Sequence, residues 1–439
     1  MGSYDNCKMT PSLKKIIIYG SGGPFLDGYV LVIVGTVLAQ LKPELHLSEQ
    51  WNALIGAAAL VGIFFGTLIF GYVTDLVGRR IMFIVDMIAI ASISVISMFV
   101  HTALELVILR FLIGIVIGAD YPIATSLVTE FTPTKYRALS VGFISAVWYV
   151  GATFADIVGY LLIAIPGGWR WMLGSSAIPC LIILLGRWGT PESPRWLVCK
   201  GRVAEATAVV KKIFGPDAEV DLGEQIEKTR YAKLFTSRYL GRVIFVGVIW
   251  ACEVVPMFSI YTFGPQILSA FGIGEGRAAM LGDIIISLFF LIGCIPAMFW
   301  LNSIGRRPLI IWSFAIMTLS LLVLGIWPNA MIWLIVAMFG IYAFFSGGPA
   351  ILQWLYPNEL FPTDVRASGV GVAMAFSRIG TVVSTYGMPL ILSTYGIGPT
   401  MFAGVAISAI GLLISIAMAP ETKGLTLQET SSLKMGRRF

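Results

Sequence analysis

The sequence GYVTDLVGRR at residues 71–80 decides the fold, because its second half returns later in the chain. The run DLVGRR at 75–80 recurs as NSIGRR at 302–307, and EFTPTKYR at 130–137 recurs as ELFPTDVR at 359–366. Both pairs are separated by nearly the same number of residues. Two unrelated motifs that share one offset predict a duplicated chain, in which two similar halves follow one another.

The composition excludes an aqueous globular protein. Of the 439 residues, 57% are hydrophobic and only 12% are charged, whereas soluble domains carry about 25% charged residues. No soluble fold hides this much apolar surface, which argues against a soluble enzyme, a nucleic-acid-binding protein and a disordered chain. The remaining class is a membrane protein that crosses the bilayer many times.

Twelve apolar segments are each close to the roughly 20 residues that a helix needs to cross a bilayer. Their continuous hydropathy predicts helices, since a β-barrel would show short alternating segments. The predicted fold class is therefore an all-α membrane protein of twelve transmembrane helices in two pseudo-symmetric six-helix halves. The predicted spans are 14–40, 52–75, 81–100, 105–129, 138–163, 170–189, 241–269, 278–300, 309–327, 331–355, 368–392 and 398–419.

Four regions follow from these spans. The N-terminal half covers 1–190 and the C-terminal half covers 241–419. Between them lies a polar cytoplasmic linker with short helices at 191–240, and a cytoplasmic tail follows at 420–439. The linker contains an amphipathic piece at 203–214, which is predicted to form a helix on the cytoplasmic face.

Lysine and arginine concentrate on one side of the predicted spans. Only Lys42, Arg170 and Arg277 fall on the opposite side, and Arg110 and Arg378 fall within spans. Because positively charged loops stay in the cytoplasm, we expect both termini to be cytoplasmic. The expected location is the inner or plasma membrane of the cell.

Five motifs are spread over the chain: GYVTDLVGRR at 71–80, EFTPTKYR at 130–137, PESPRWL at 191–197, YPNELFP at 356–362 and PETKG at 420–424. Together they resemble the major facilitator superfamily, and within it the sugar-porter branch. The resemblance implies an alternating-access secondary transporter, a monomer in the lipid bilayer, with a small-molecule substrate and protons as partners. It implies no enzymatic activity, no metal, no nucleic-acid partner and no cofactor besides the proton gradient. No motif of an enzyme or an ATP-driven pump is present.

Charged residues of the repeated loops are expected to form networks at the cytoplasmic side. A carboxylate at a helix end and arginines on the next helix make bidentate pairs, and in the family such networks hold this side closed in the outward-facing state. The resemblance implies the same role here; the alternative is that these charges only anchor the topology. Asn302 stands where the first half has Asp75, so we expect a weaker second network. The predicted gating residues are Asp75, Arg79, Arg80, Glu130, Arg137, Glu192, Arg195, Arg306, Arg307, Glu359 and Arg366.

Three charged residues inside the first half are predicted to couple transport to protons, since ionisable groups within a bilayer are costly and usually functional. In proton-coupled sugar porters an aspartate on helix one and an arginine on helix four form a protonation switch, and Asp27 and Arg110 match those helices. Asp120 resembles an aspartate in the proton path of phosphate:proton symporters; the alternatives are a structural pair between Asp27 and Arg110, or Asp120 as the partner of Arg110. The glycines of RFLIGIVIG at 110–118 predict close helix approach. Three further acids, which no motif accompanies, are expected to make polar contacts between helices: Asp86, Asp156 and Asp283.

Arg378, deep in the second half, is the predicted anchor for an anion, because a guanidinium matches carboxylate and phosphate geometry. Its alternative role is to pair with Glu253 or Asp283. The glutamines that sugar porters carry in the fifth and seventh spans are absent around 145–148 and 251–254, which favours an acid over a neutral hexose. The predicted substrate-binding residues are Tyr29, Tyr121, Trp148, Tyr149, Trp250, Glu253, Tyr261, Gln266, Gln353, Trp354 and Arg378.

The predicted function is proton-coupled uptake of a small polar metabolite, more an organic or sugar-derived acid than a neutral hexose. Two other transport functions stay open: symport of a neutral sugar with protons, and export of metabolites or drugs by proton antiport. A substrate sensor that does not transport is a third alternative, and the short tail at 420–439 argues against it.

Overall fold

The chain is helical almost throughout the part that the structure describes, which confirms the all-α class. The computed structural model describes residues 9–132, 134–216, 218, 234–274, 277–361 and 366–425. Ten helical segments within these ranges are long and apolar enough to cross a bilayer. Two more helices have 29 and 30 residues and bring the spans to the predicted twelve.

The first half contains six spans built from eight helices. The first and the sixth spans are each divided in two, at Ser21 and at Ser176. Proline lacks the N–H that would continue a helical ladder, and Pro24 and Pro179 each follow a break by three residues. The helices are α1 (Pro11–Gly20), α2 (Gly22–Glu44), α3 (Glu49–Val77), α4 (Arg79–Ser97), α5 (Ala103–Phe131), α6 (Thr134–Leu162), α7 (Gly168–Ser175) and α8 (Ala177–Arg187).

Two short helices and six further spans follow. The amphipathic piece predicted at 203–214 is a helix, with Ala206, Val210 and Ile213 buried on one face. The remaining helices are α9 (Pro194–Cys199), α10 (Val203–Phe214), α11 (Ser237–Ala270), α12 (Arg277–Ser303), α13 (Arg306–Ile326), α14 (Ile332–Leu360), α15 (Arg366–Tyr395) and α16 (Ile397–Met418).

Glycines bring equivalent helix pairs into backbone contact in both halves. A Cβ atom on Gly114 of α5 would lie 2.1 Å from the carbonyl oxygen of Ala59 on α3. In the second half, a Cβ atom on Gly293 of α12 would lie 2.1 Å from the carbonyl oxygen of Phe344 on α14. The close approach predicted from the glycines of 110–118 is therefore found, and the second half repeats it.

The two halves meet along helices α2, α3 and α6 of the first and α11, α12 and α15 of the second. On one side of the membrane, the side-chain amide of Asn52 on α3 donates to Gln266 on α11 at 3.3 Å. Near the other side, a Cβ atom on Gly142 of α6 would lie 3.1 Å from Met298 of α12. The halves thus contact each other on both sides of the space between them.

Candidate functional site

A central cavity of about 40 Å³ lies between the halves. Helices α2, α5 and α6 line it from the first half, and α11, α14 and α15 line it from the second. A cavity of this volume holds only a few water molecules. Seven of the predicted substrate-binding residues line it: Tyr121, Trp148, Tyr149, Trp250, Gln353, Trp354 and Arg378.

Aromatic rings close the cavity across the boundary between the halves. Tyr121 of α5 stacks on Trp354 of α14, with ring centroids 5.8 Å apart and planes 18° from parallel. Trp250 of α11 meets Trp354 edge to face at 4.9 Å. Large rings that bridge the two halves exclude water and must part before a solute can enter.

Arg378 presents its guanidinium to the central cavity. The guanidinium carbon lies 5.6 Å from the ring centroid of Tyr121 and 5.3 Å from that of Phe258. Its Nε and Nη1 have no hydrogen-bond partner among the described residues. The ion pair with Glu253 or Asp283 is not formed within that part of the chain. A buried guanidinium with free donors is suited to a carboxylate or phosphate ligand.

Two neutral polar groups also face the cavity. The amide oxygen of Gln353 on α14 and the hydroxyl of Ser145 on α6 are buried, and neither has a hydrogen-bond partner in the described part of the chain. Buried polar groups without partners are costly, so both are available to hydrogen-bond a hydroxyl-bearing solute.

Two predicted substrate-binding residues are committed to other contacts. The phenol of Tyr29 and the hydroxyl of Ser175 are 2.6 Å apart, within the first half. The Glu253 carboxylate accepts hydrogen bonds from Tyr149 at 3.4 Å and Ser346 at 3.1 Å. Tyr29 and Glu253 do not line the cavity, because their helix faces turn toward neighbouring helices.

Two others lie away from the cavity as well. Tyr261 packs edge to face on Trp148 at 5.6 Å and supports the cavity wall from behind. Gln266 lines a second, more open cavity of about 380 Å³. Lys42 and Glu49 also line that cavity and form an ion pair at 2.6 Å.

Several lining residues were missed by the sequence prediction because most are apolar. Val254, Met257 and Phe258 follow Trp250 by four, seven and eight positions, which is the spacing of one helix face. That spacing is the signal that finds them once Trp250 is placed in the cavity. The lining residues not predicted are Pro24, Ile144, Ser145, Val254, Met257, Phe258 and Ala350.

Asp27 and Arg110 are both buried, but the structure does not bring them together. Arg110 donates from Nη1 to the carbonyl oxygen of Val30 at 2.7 Å. Both carboxylate oxygens of Asp27 lack a hydrogen-bond partner among the described residues. Helices α2 and α5 run antiparallel, so that Val30 faces Arg110 whereas Gly23 faces Asp120. Asp27 lies between these two levels, about one turn from each, and the charged groups that act on it include Asp120 but not Arg110. Ten residues of α5, or about 15 Å, separate those two levels.

Asp120 contacts Arg187 and not Arg110. Its Oδ1 lies 3.4 Å from Nη2 of Arg187, and Oδ1 of Asp86 lies 3.6 Å from Nη1 of the same guanidinium. Asp86 thus makes a polar contact between helices, as expected. Arg187 was not singled out in the sequence, since it stands at the end of the sixth predicted span, where cations usually mark the membrane surface.

The remaining unassigned acids lie between the halves. Asp156 of α6 accepts a hydrogen bond from Ser287 of α12, which is the expected kind of helix contact. Asp283, one turn before Ser287, packs against Gly264 of α11, where a Cβ atom would lie 2.0 Å from its carboxylate.

The predicted gating residues of the second half form part of a network. Nη2 of Arg306 lies 3.1 Å from Oε1 of Glu359, and the hydroxyl of Thr422 donates to Oε2 of Glu359 at 2.5 Å. Arg307 instead donates to the backbone carbonyl of Ile416 at 3.0 Å. The network therefore ties α13 to the end of α14 and to the segment after α16.

In each half, a glutamate after the last span caps the helix that begins at the first arginine of the GRR motif. In the second half, the Glu421 carboxylate accepts the backbone N–H groups of Arg306 and Arg307, both at 3.1 Å. In the first half, Glu192 accepts the backbone N–H of Arg80 at 3.0 Å. A carboxylate at a helix N-terminus satisfies free N–H groups and complements the helix dipole.

The glycine before each capped helix makes room for the glutamate. Gly78 and Gly305 have φ angles of 107° and 105°, a region that favours glycine. A Cβ atom would lie 2.7 Å from Glu192 at Gly78 and 2.5 Å from Glu421 at Gly305. The side chains of the other predicted gating residues lie outside the described part of the structure: Asp75, Arg79, Glu130, Arg137, Arg195 and Arg366.

A twelve-span fold in two similar halves, with a cavity between them, defines a membrane transporter. The chain belongs to the sugar (and other) transporter family, whose model matches residues 15–433. It is 58% identical to the putative metabolite transport protein YaaU of Escherichia coli K12, over 100% of this chain and 99% of that protein. It is 36% identical to the inner membrane metabolite transport protein YgcS of the same organism, over 92% and 91% of the two chains.

A solved structure shares the fold. The partially occluded, inward-open conformation of the xylose transporter XylE from E. coli superposes with a TM-score of 0.81 at 22% identity. The match covers 95% of this chain and 100% of that one. The fold is therefore that of the major facilitator type. Together with the family match and the curated relatives, it makes the chain a multi-pass membrane transporter and not an enzyme.

Proposed function

We propose that the protein is a proton-coupled symporter for a small organic or sugar-derived acid. The observation that carries the proposal is the Arg378 guanidinium, whose Nε and Nη1 have no hydrogen-bond partner in the described part of the chain. A carboxylate on the substrate would complete its hydrogen bonds and its charge. The Gln353 amide oxygen and the Ser145 hydroxyl would form hydrogen bonds with the hydroxyl groups of such a molecule.

Proton coupling is proposed from the buried acids of the first half. Asp27 and Asp120 are fully buried, and ionisable groups inside a membrane protein commonly carry protons. The proton:xylose symporter XylE has the same fold, with 21% identity and a TM-score of 0.77. Uptake of an anion together with protons also lowers the charge that must cross the membrane.

Symport of a neutral sugar is the second candidate, favoured by the tryptophan in the cavity. Trp354 offers a ring face beside the Gln353 amide, a combination that suits a pyranose. In that case the Arg378 guanidinium would have a structural role and stabilise the rings of Tyr121 and Phe258, against which it packs.

Uptake by purified protein in proteoliposomes separates these functions. We expect an inward proton gradient to drive accumulation of labelled gluconate or glucuronate, with little uptake of glucose, xylose, benzoate or inorganic phosphate. Arg378→Gln should lower the affinity for the sugar acid by at least about tenfold, since a charge-assisted hydrogen bond contributes about 1.5–3 kcal/mol. Gln353→Ala is the matched control, because it removes a polar group from the same cavity and leaves the charge.

Two outcomes would contradict the proposal. Gradient-driven uptake of glucose or xylose that survives Arg378→Gln would establish the neutral-sugar function. Efflux of the solute against an inward proton gradient would establish an antiporter.

A further inference from the structure

Arg187 is a fully buried cation that binds two acids and two backbone carbonyls. Its guanidinium lies 3.6 Å from Asp86 and 3.4 Å from Asp120. It donates from Nε to the carbonyl oxygen of Tyr19 at 3.1 Å and from Nη1 to that of Phe83 at 2.9 Å. These contacts join α8 to α1, α4 and α5, so the guanidinium is fixed from several sides.

Asp27 is the third acid near this cation. The charged groups that act on it are Asp120, Asp86, Arg378 and Arg187. Neither of its oxygens has a hydrogen-bond partner among the described residues. We call Arg187, Asp27, Asp86 and Asp120 the Arg187 cluster.

The charges of the Arg187 cluster do not balance without a proton. Three ionised carboxylates face one guanidinium inside it, which leaves two negative charges away from water. Burial of unpaired charge is costly, and neighbouring carboxylates do not all ionise together. Arg378 also acts on Asp27. Even with its guanidinium counted, one negative charge stays unpaired, and a proton on one of the three carboxyl groups would balance it.

The Arg187 cluster lies behind the cavity wall, within the first half. None of its four residues lines the central cavity. Its contact with the cavity runs through chain neighbours, since Pro24 precedes Asp27 by one turn and Tyr121 follows Asp120 directly. Movement of these lining residues on α2 and α5 would change the distance between Asp27 or Asp120 and the guanidinium.

We infer that the coupling proton binds within the Arg187 cluster, and that Arg187, not Arg110, is the positioning cation that sets when the proton binds and leaves. The inference rests on the proposed proton-coupled function. In the step itself, a carboxylate oxygen of the cluster takes a proton from hydronium and becomes a carboxyl group. The reverse transfer to water on the other side of the membrane releases it.

The groups that face Arg187 come from each packed helix. They are Asp27 from α2, Asp86 from α4, Asp120 from α5 and the Cys180 thiol from its own helix α8. Helix α1 contributes the carbonyl oxygen of Tyr19. Arg110 donates from Nη1 to the carbonyl oxygen of Val30 and is not among the charged groups that act on Asp27.

Infrared difference spectroscopy of the full-length protein in lipid nanodiscs tests, without any substrate, whether Arg187 controls protonation of the Arg187 cluster. The carbonyl stretch of protonated carboxyl groups is followed as a function of pH. We expect Arg187→Gln to raise the midpoint of protonation by about 1–3 pH units, the usual effect of removing an opposite charge next to a carboxylate. Arg187→Lys, which keeps the charge, should move the midpoint less.

Arg110→Gln is the matched comparison, since it removes a buried cation from the same half and leaves the Arg187 cluster intact. We expect it to leave the midpoint unchanged. An unshifted midpoint in Arg187→Gln, or an equal shift in Arg110→Gln, would overturn the inference. If Arg187→Gln does not fold, Arg187→Lys compared with Arg110→Lys carries the test: a small upward shift of the midpoint is expected for the first variant and none for the second.

Transport assays separate failure of this inference from failure of the proposed function. If wild-type proteoliposomes show no proton-driven uptake of gluconate, glucuronate, glucose or xylose, the proposed function fails and the titration result still stands. If wild-type uptake is proton-driven but Arg187→Gln has the wild-type pH profile, the proposed function stands and the role of Arg187 fails.

Discussion

At Gly23 the absence of a side chain decides where Asp120 can lie. A Cβ atom at this position would meet Oδ2 of Asp120 at 1.5 Å. The other oxygen of the same carboxylate bridges to Arg187. The ion pair between Asp120 of α5 and Arg187 of α8 therefore requires a glycine at position 23 of α2.

We expect Gly23→Ala to destabilise the protein by about 1–3 kcal/mol, the usual cost of overpacking a buried site. The added methyl group would push the Asp120 carboxylate away from Arg187. Thermal unfolding in detergent measures the loss.

The matched control is Gly387→Ala on α15, where a Cβ atom would meet nothing within 4 Å. Alanine favours helix over glycine by about 0.5–1 kcal/mol, so this variant should be at least as stable as the wild type. Equal stability of the two variants would show that the space at Gly23 is not needed.

Of the residues that the sequence predicts to bind substrate, Trp148, Trp354 and Arg378 line the central cavity, and their role in binding stays a prediction. The sequence prediction did not find Arg187, because burial of a cation at the end of a span depends on how α1 and α4 pack over it. Hydropathy carries no information on that packing. The same limit applies to Asp27 and Arg110: whether their side chains meet depends on how α2 and α5 pack, which the sequence does not show.

At the scale of helices, the glutamate caps make the two halves alike. Glu421 accepts four backbone N–H groups, two from the start of α13 and two from its own segment. The sequence contained this feature as the repeated GRR motif and the PES and PET motifs. Their pairing could not be predicted from it, since it joins segments that are far apart in the chain.

We expect Glu421→Gln to lower the free energy of unfolding by about 0.5–2 kcal/mol, the range for loss of a helix N-cap. A glutamine keeps the shape but loses the charge that complements the helix dipole. Chemical or thermal unfolding of the purified protein is the measurement.

Glu205→Gln is the control at the surface. Arg202 hydrogen-bonds to Glu205 and lowers the pKa of its carboxyl, but both side chains are exposed and water screens the pair. We expect no measurable loss of stability there. A larger loss for Glu205→Gln than for Glu421→Gln would contradict the capping role.

At the scale of the whole molecule, transport by alternating access requires the halves to separate. The side chains of Asn52 and Gln266 join α3 to α11 across the boundary at 3.3 Å. The duplicated fold could be predicted from the repeated motifs alone. The width of the cavity could not, because helix tilt and the rotamers of Tyr121 and Trp354 set it.

We expect a disulfide between Asn52→Cys and Gln266→Cys, in a variant without the native cysteines, to block uptake and a reductant to restore it. The bond would hold the halves together on that side. Uptake of the labelled solute before and after oxidation is the measurement.

A pair within one half serves as the control for this crosslink. The hydroxyl groups of Ser259 on α11 and Ser384 on α15 lie 2.8 Å apart. A disulfide between Ser259→Cys and Ser384→Cys should leave uptake largely intact, since these helices move together. If the protein with the Asn52–Gln266 crosslink takes up solute as fast as it does after the disulfide is reduced, the halves do not separate at Asn52.

The stacked rings of Tyr121 and Trp354 also bear on how the cell conserves energy. A proton crosses a membrane protein freely only along a continuous file of water molecules or titratable groups. The central cavity is too small for such a file, and aromatic rings bridge it. If transport is coupled to protons as proposed, we expect no proton leak through this conformation in the absence of substrate.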